Sequence, residues 1–156
     1  MAMRLAKPVS TAAVPAGWVI DASATMPWFL PDEATPFTEG LLDALGAQAI
    51  WVPTLWVFEC ANVLQSAQRR RRIAPPRRAE IASQLGALPV RVDMVIPDFE
   101  TLDRLAATHG LSAYDAAYLE LALRRSLVLV SLDARLLAAA TALGHPVLTG
   151  TTVRAN

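Results

Sequence analysis

The alternation of short apolar runs with longer helical patterns predicts an α/β fold, a three-layer α/β/α sandwich with a mostly parallel central sheet. Three observations carry that expectation. Trp18-Val19-Ile20, Ile50-Trp51-Val52 and Leu127 to Val130 are short apolar runs of strand length. Helical stretches separate them, as crossover connections require. At 156 residues, with no internal repeat or low-complexity segment, the chain is long enough to bury one substantial core.

Taken in order, Trp18 to Ile20 reads as the first strand and ends at Asp21. A helical stretch from about Ser23 to Leu30 stops at Pro31, and Pro36 starts another to about Leu45, with Gly46 as its C-terminal glycine. After the second strand, Thr54 is the expected N-cap of a long helix through Arg72. Pro75-Pro76 ends that element, and a further helix covers about Arg77 to Leu85. Val90-Arg91-Val92 is a weak third strand, and Pro97 begins a helix closing at His109-Gly110. Ser112 opens the next helix, in which Leu111, Tyr118, Leu119, Ala122 and Leu123 share a side and Asp115 lies at its edge. The strand from Leu127 follows, then a helix from Ala134 to Leu143 closed by Gly144, and a last strand at Pro146 to Leu148. Residues 1–17 read as a flexible N-terminal extension, 18–150 as one domain and 151–156 as a C-terminal tail.

Composition narrows the function classes. Hydrophobic residues make up 54% and charged residues 18%, which excludes a disordered chain. No apolar run approaches the roughly 20 residues of a membrane span, and residues 1–17 lack the apolar core of a secretory signal. The single cysteine, Cys60, can form no internal disulfide, so the expected location is the cytoplasm. The net charge is zero, yet Arg69, Arg70, Arg71, Arg72, Arg77 and Arg78 place six of the fourteen basic residues within ten positions. The only lysine is Lys7.

The acids carry the chemistry. From Asp115 to Arg125 a helix travels roughly 15 Å, and the strand to Asp133 travels roughly 20 Å back. Antiparallel neighbours of those lengths return both carboxylates to one edge. Asp21 ends the first strand, and Glu59 lies in the second turn of the helix after the second. Ligands of such sheets collect outside the carboxyl ends of the strands, so the four acids converge there. Each also has a plain structural role available: Asp21 and Asp133 as N-caps, Ser112 with Asp115 as a capping box. Glu59 has none, because it interrupts the stripe of Trp56, Cys60, Val63 and Ala67, and no basic residue occurs between Lys7 and Arg69. Four acids at one edge repel one another, and a hard divalent cation with oxygen ligands is the natural remedy.

VIDASA at Val19 to Ala24, FECANVL at Phe58 to Leu64, LSAYDAAYLELA at Leu111 to Ala122 and LVSLDARL at Leu129 to Leu136 resemble the PIN domain family. The resemblance is especially to the VapC-like ribonuclease toxins of bacterial toxin–antitoxin pairs, and it spans about Trp18 to Leu148. It implies an acidic pocket of Asp21, Glu59, Asp115 and Asp133 that binds Mg²⁺ or Mn²⁺ and cleaves structured RNA, with Ser131 and Asn62 in support. A cognate antitoxin and a homodimer are further implications. The lead before the first strand and the dense run Arg69 to Arg72 exceed the family pattern, and the run is a candidate RNA-binding element that grips phosphates. A housekeeping RNA-processing nuclease and a non-catalytic PIN-like binding module are the alternatives. An aspartate phosphotransferase is disfavoured, because such sites need a lysine against the phosphoryl oxygens and Lys7 precedes the first strand.

Overall fold

The computed structural model describes residues 17–150. The expected N-terminal extension, apart from Gly17, and the C-terminal tail lie outside the described residues. The elements run β1 (Gly17–Ile20), α1 (Ala22–Thr25), α2 (Pro36–Asp43), β2 (Ala49–Pro53), α3 (Leu55–Arg69), α4 (Pro75–Gly86), β3 (Val90–Asp93), α5 (Phe99–His109), α6 (Ala113–Arg125), β4 (Val128–Val130), α7 (Ala134–Ala142) and β5 (Val147–Leu148). The five strands form one sheet in the order β3-β2-β1-β4-β5, every neighbouring pair parallel. The α/β fold expected from the alternation is therefore present.

Side-chain alternation on β3 separates the two faces of the sheet. Val90 and Val92 line a cleft with Trp56, Leu64 and Leu85 of α3 and α4. Arg91 and Asp93 point the other way, where Arg125 of α6 stacks on Trp51 at 3.6 Å and pairs with Asp93. Helix α6 crosses β1, β2 and β4. It is buried without interruption from Ala116 to Ala122. The one-sided apolar stripe read from the sequence thus understates α6, which packs on the sheet and on both α5 and α7. The core around it includes Val19, Ile20, Ile50, Val52, Leu119, Leu129 and Leu136. Gly17 is obligatory at the start of β1, since a Cβ there would meet the Ala49 carbonyl oxygen at 2.4 Å.

Several boundaries differ from expectation. Thr54 holds the N-cap position of α3 as expected, but its backbone is already helical, at φ −55° and ψ −34°, and its side chain bonds no α3 amide. Helix α3 stops at Arg69, and Arg71 takes a left-handed conformation at φ 58° that ends the turn. Pro75 and Pro76 begin α4 instead of closing α3, consistent with proline at a first helical turn, where no amide donor is needed. The stretch from Ser23 divides into α1 and a 3₁₀ turn at Met26–Trp28, and a second such turn spans Pro31–Glu33. Gly46 closes a 3₁₀ turn and not α2, whose C-cap is Ala44; it is also absent from the positive-φ glycines, Gly110 and Gly144. His145, in the loop between α7 and β5, holds the Leu127 carbonyl at 2.7 Å through Nε2. Among the described residues, no helix is long and apolar enough to cross a membrane.

Candidate active site

The chain leaves β1 for β2 and β3 on one side, and β4 and β5 then add on the other. The carboxyl ends of β1 and β4 therefore flank the point where strand order reverses, which opens a crevice between their loops. Asp21 follows β1 there, and its amide still reaches across to the Val130 carbonyl at 3.2 Å. Asp21 is 5% exposed. Its Oδ1 accepts from Ser23 Oγ at 2.7 Å and from the Ala24 amide at 3.0 Å. Its Oδ2 accepts from Ser131 Oγ at 2.6 Å, with Ser23 Oγ also within 2.9 Å. The same two serines tie down the β4 loop, Ser23 Oγ accepting from the Leu132 amide and Ser131 Oγ from the Asp133 amide, each at 2.9 Å.

The other acids arrive from three helices. Asp115 stands in the first turn of α6, where Ser112 Oγ donates to its Oδ2 at 2.7 Å and accepts from its amide at 3.1 Å. Glu59 is half-buried on α3, and its Oε2 accepts from the Tyr118 hydroxyl. Asp133 caps α7, its Oδ1 accepting from the Arg135 and Leu136 amides at 2.8 and 3.0 Å. The capping roles available from sequence are thus realised for Asp21 and Asp133, while the Ser112–Asp115 capping box forms only in half: Ser112 caps α6, and the Asp115 carboxylate takes the Ser112 hydroxyl instead of its amide.

Electrostatics distinguish these acids from ordinary caps. Burial holds Asp21 above its usual carboxylate range, against the pull of its hydroxyl and amide donors, and the Asp115 charge adds to the rise. Burial does the same to Glu59; the Tyr118 bond opposes it, and the charges of Asp21 and Asp115 reinforce it. Asp21, Glu59 and Asp115 therefore sit within one another's fields, whereas Asp133 connects to the group through Ser131. Among the described residues, none of the four is in an ion pair. Nor do any three acidic, histidine or cysteine side chains among those residues stand close enough, as placed, to enclose an ion. The donor chemistry nevertheless fits a hard divalent cation: oxygen ligands only, none in an ion pair, with Asp21 and Glu59 desolvated and in the field of Asp115. Cys60 is buried beside Glu59 and its thiol is pushed up to about 12, so it is a core residue and not a nucleophile.

Two supporting residues escaped the sequence reading. Ser23 lies two positions after Asp21, a spacing at which a hydroxyl turns back on a preceding carboxylate. Tyr118 lies one helical turn after Asp115, a relation that places both on one face. Ser131 supports Asp21 as expected. Asn62 is exposed and hydrogen-bonds none of the acids. Of the arginines, Arg72 is held by Asp32 and Glu33, at 2.6 and 2.7 Å. Arg69, Arg70 and Arg71 are exposed at the far end of α3, roughly 15 Å along the helix from Glu59.

A family model described as PIN domain matches residues 18–142. No curated protein matches the chain by sequence. Among solved structures, the fold is similar to that of PAE2754 from Pyrobaculum aerophilum, with a TM-score of 0.67 and 23% identity over 85% of this chain and 83% of that one. It is also similar to FitAcB from Neisseria gonorrhoeae, with a TM-score of 0.60 and 16% identity over 85% of this chain and 96% of that one. PIN domains are generally metal-dependent nucleases. The match takes in β2, β3, β4, all of β1 but Gly17, and all four acids, and the chain belongs to the PIN domain family.

Proposed function

We propose that this chain is a divalent-metal-dependent endoribonuclease and the toxin of a type II toxin–antitoxin pair. The observation that carries this reading is the mutual field of Asp21, Glu59 and Asp115, three carboxylates with no basic partner at the switch point of a parallel sheet, the first two of them desolvated by burial. With Asp133 they would hold Mg²⁺ or Mn²⁺, which when bound supplies an activated water and neutralises charge on the leaving oxygen of a phosphodiester. The chain's own hydroxyls do the orienting. Ser23 and Ser131 fix the Asp21 carboxylate, Ser112 fixes Asp115, and the α7 cap fixes Asp133. Arg69, Arg70 and Arg71, which have no ion pair among the described residues, would grip RNA phosphates.

A cognate antitoxin and a homodimer complete the proposal. Met94, Val95, Ile96 and Phe99, exposed at 75%, 56%, 80% and 89% beside the edge strand β3, support a protein partner there. The test is cleavage of total cellular RNA by the purified chain with Mn²⁺ or Mg²⁺, beside an EDTA control and the Asp21→Asn and Asp115→Asn variants. Metal-dependent cutting that both variants lose is expected. Cutting that survives EDTA or both substitutions would overturn the assignment, and folded protein that binds RNA without cutting it would favour the binding module.

A further inference from the structure

Glu59 has a single hydrogen-bond partner among the described residues, and that partner is the hydroxyl of one of the most deeply buried large side chains in the chain. Tyr118 is 1% exposed, yet its hydroxyl reaches the half-buried carboxylate through Oε2. Asp115 and Tyr118 stand three residues apart on α6, so one helix face presents both a carboxylate to the crevice and a donor to the acid on α3. Among the described residues, Glu59 Oε1 makes no hydrogen bond. The arrangement gives the two oxygens different tasks, one bound to the protein and one left free.

We propose that Tyr118 is the positioning residue of the site: by holding Oε2 it fixes the Glu59 rotamer and leaves Oε1 as the ligand atom for a divalent cation. Glutamate is a long side chain with much rotamer freedom to lose, and a ligand already held in place binds with less of that loss. Outer partners that orient a metal ligand in this way are typically worth about tenfold to a hundredfold in metal affinity. This inference rests on the metal site proposed above.

The experiment is calorimetric titration of Mn²⁺ into the wild-type chain, Tyr118→Phe, Glu59→Gln and the double variant, with folding checked by circular dichroism. Tyr118→Phe is expected to weaken Mn²⁺ binding about tenfold while keeping the fold. Tyr118→Met removes the hydroxyl with a chain that adapts to the gap, and serves if the phenylalanine variant does not fold. Because the tyrosine acts through Glu59, the double variant is expected to bind no more weakly than Glu59→Gln alone. Wild-type affinity in Tyr118→Phe, or losses that multiply in the double variant, would overturn this inference alone. Absence of Mn²⁺ binding by the wild-type chain would overturn the metal site and this inference with it.

Discussion

Two buried aspartates, each at the carboxyl end of a strand, have opposite electrostatic fates. Asp21 after β1 is 5% exposed and Asp93 at the end of β3 is 3% exposed. Asp21 is surrounded by hydroxyls and an amide, and burial with a like charge nearby holds it above the usual carboxylate range. Asp93 also suffers burial, but the Arg125 guanidinium, the Val95 amide and Arg124 outweigh that cost and hold it below the usual range. Arg124 in turn binds Glu120 at 2.7 Å, and Arg125 lies over the Trp51 ring. Every buried side-chain polar atom among the described residues has a hydrogen-bond partner, so both acids are satisfied in hydrogen bonding. They differ in charge compensation. A buried carboxylate matched by arginines ties the edge strand to α6, whereas one matched only by neutral donors keeps its demand for a cation.

The largest expected contrast is in catalysis. Asp21→Asn is expected to lower RNA cleavage by roughly a thousandfold, about 4 kcal/mol of barrier, while Asp93→Asn leaves cleavage by the folded fraction within about twofold. Rates measured on the two variants under identical metal concentrations check this, and equal losses would erase the distinction.

Stability should show the reverse order. Asp93→Asn is expected to cost about 2 kcal/mol in urea denaturation, at the low side of a broken buried pair because Arg124 and Arg125 keep about a third of their side-chain surface in water. Asp21→Asn is expected to raise the Tm of metal-free protein by about 3 °C, because it removes a charge that the fold holds out of water. A fall in Tm for Asp21→Asn would mean that its hydrogen bonds matter more than its charge.

The pH dependence sharpens the same contrast. The raised groups, Asp21 and Glu59, make the native state bind more protons than the unfolded state between the ordinary carboxylate range and their folded values. Stability from them is full below that window and is lost as pH rises through it. Asp93 is lowered, so its contribution is present above the ordinary range and is lost as pH falls through its folded value. Metal-free Asp21→Asn should therefore show a flatter decline of stability between acidic and neutral pH than the wild type, and Asp93→Asn a weaker loss on acidification. Denaturation midpoints across pH 3 to 7 measure both.

The smallest effect concerns charges that are exposed. Replacing Arg69, Arg70 and Arg71 by glutamine is expected to weaken RNA binding several-fold and to lower the salt-dependence slope by about 2, with Mn²⁺ affinity unchanged. An unchanged slope would place the phosphate contacts elsewhere.

Much of this was legible in the residue pattern. The parallel order of the fold followed from strands too short to be helices and from the helices between them, and Asp21, Glu59, Asp115 and Asp133 were placed at one edge by counting residues along helix and strand. Local punctuation was read less well. Thr54 takes the N-cap position without the side-chain bond a cap implies, and Gly46, which looked like a helix terminator, closes the 3₁₀ turn after α2. Asp93 showed no sign of burial in sequence, because its partners lie more than thirty residues away on α6. Tyr118 was visible as an apolar helix position within the LSAYDAAYLELA block, with nothing to show that its hydroxyl meets Glu59.

The chain by itself determined which acids end strands, which helices follow them and therefore which edge gathers carboxylates, since strand and helix rises are properties of the backbone. Which of those carboxylates receives a counter-charge was decided by tertiary structure alone. Compensation depends on a side chain from a distant element arriving within about 3 Å, and α6 brings arginines to Asp93 at its C-terminal end and a tyrosine to Glu59 from its middle. Spacing along a chain sets where an acid can be; only packing sets what it meets there.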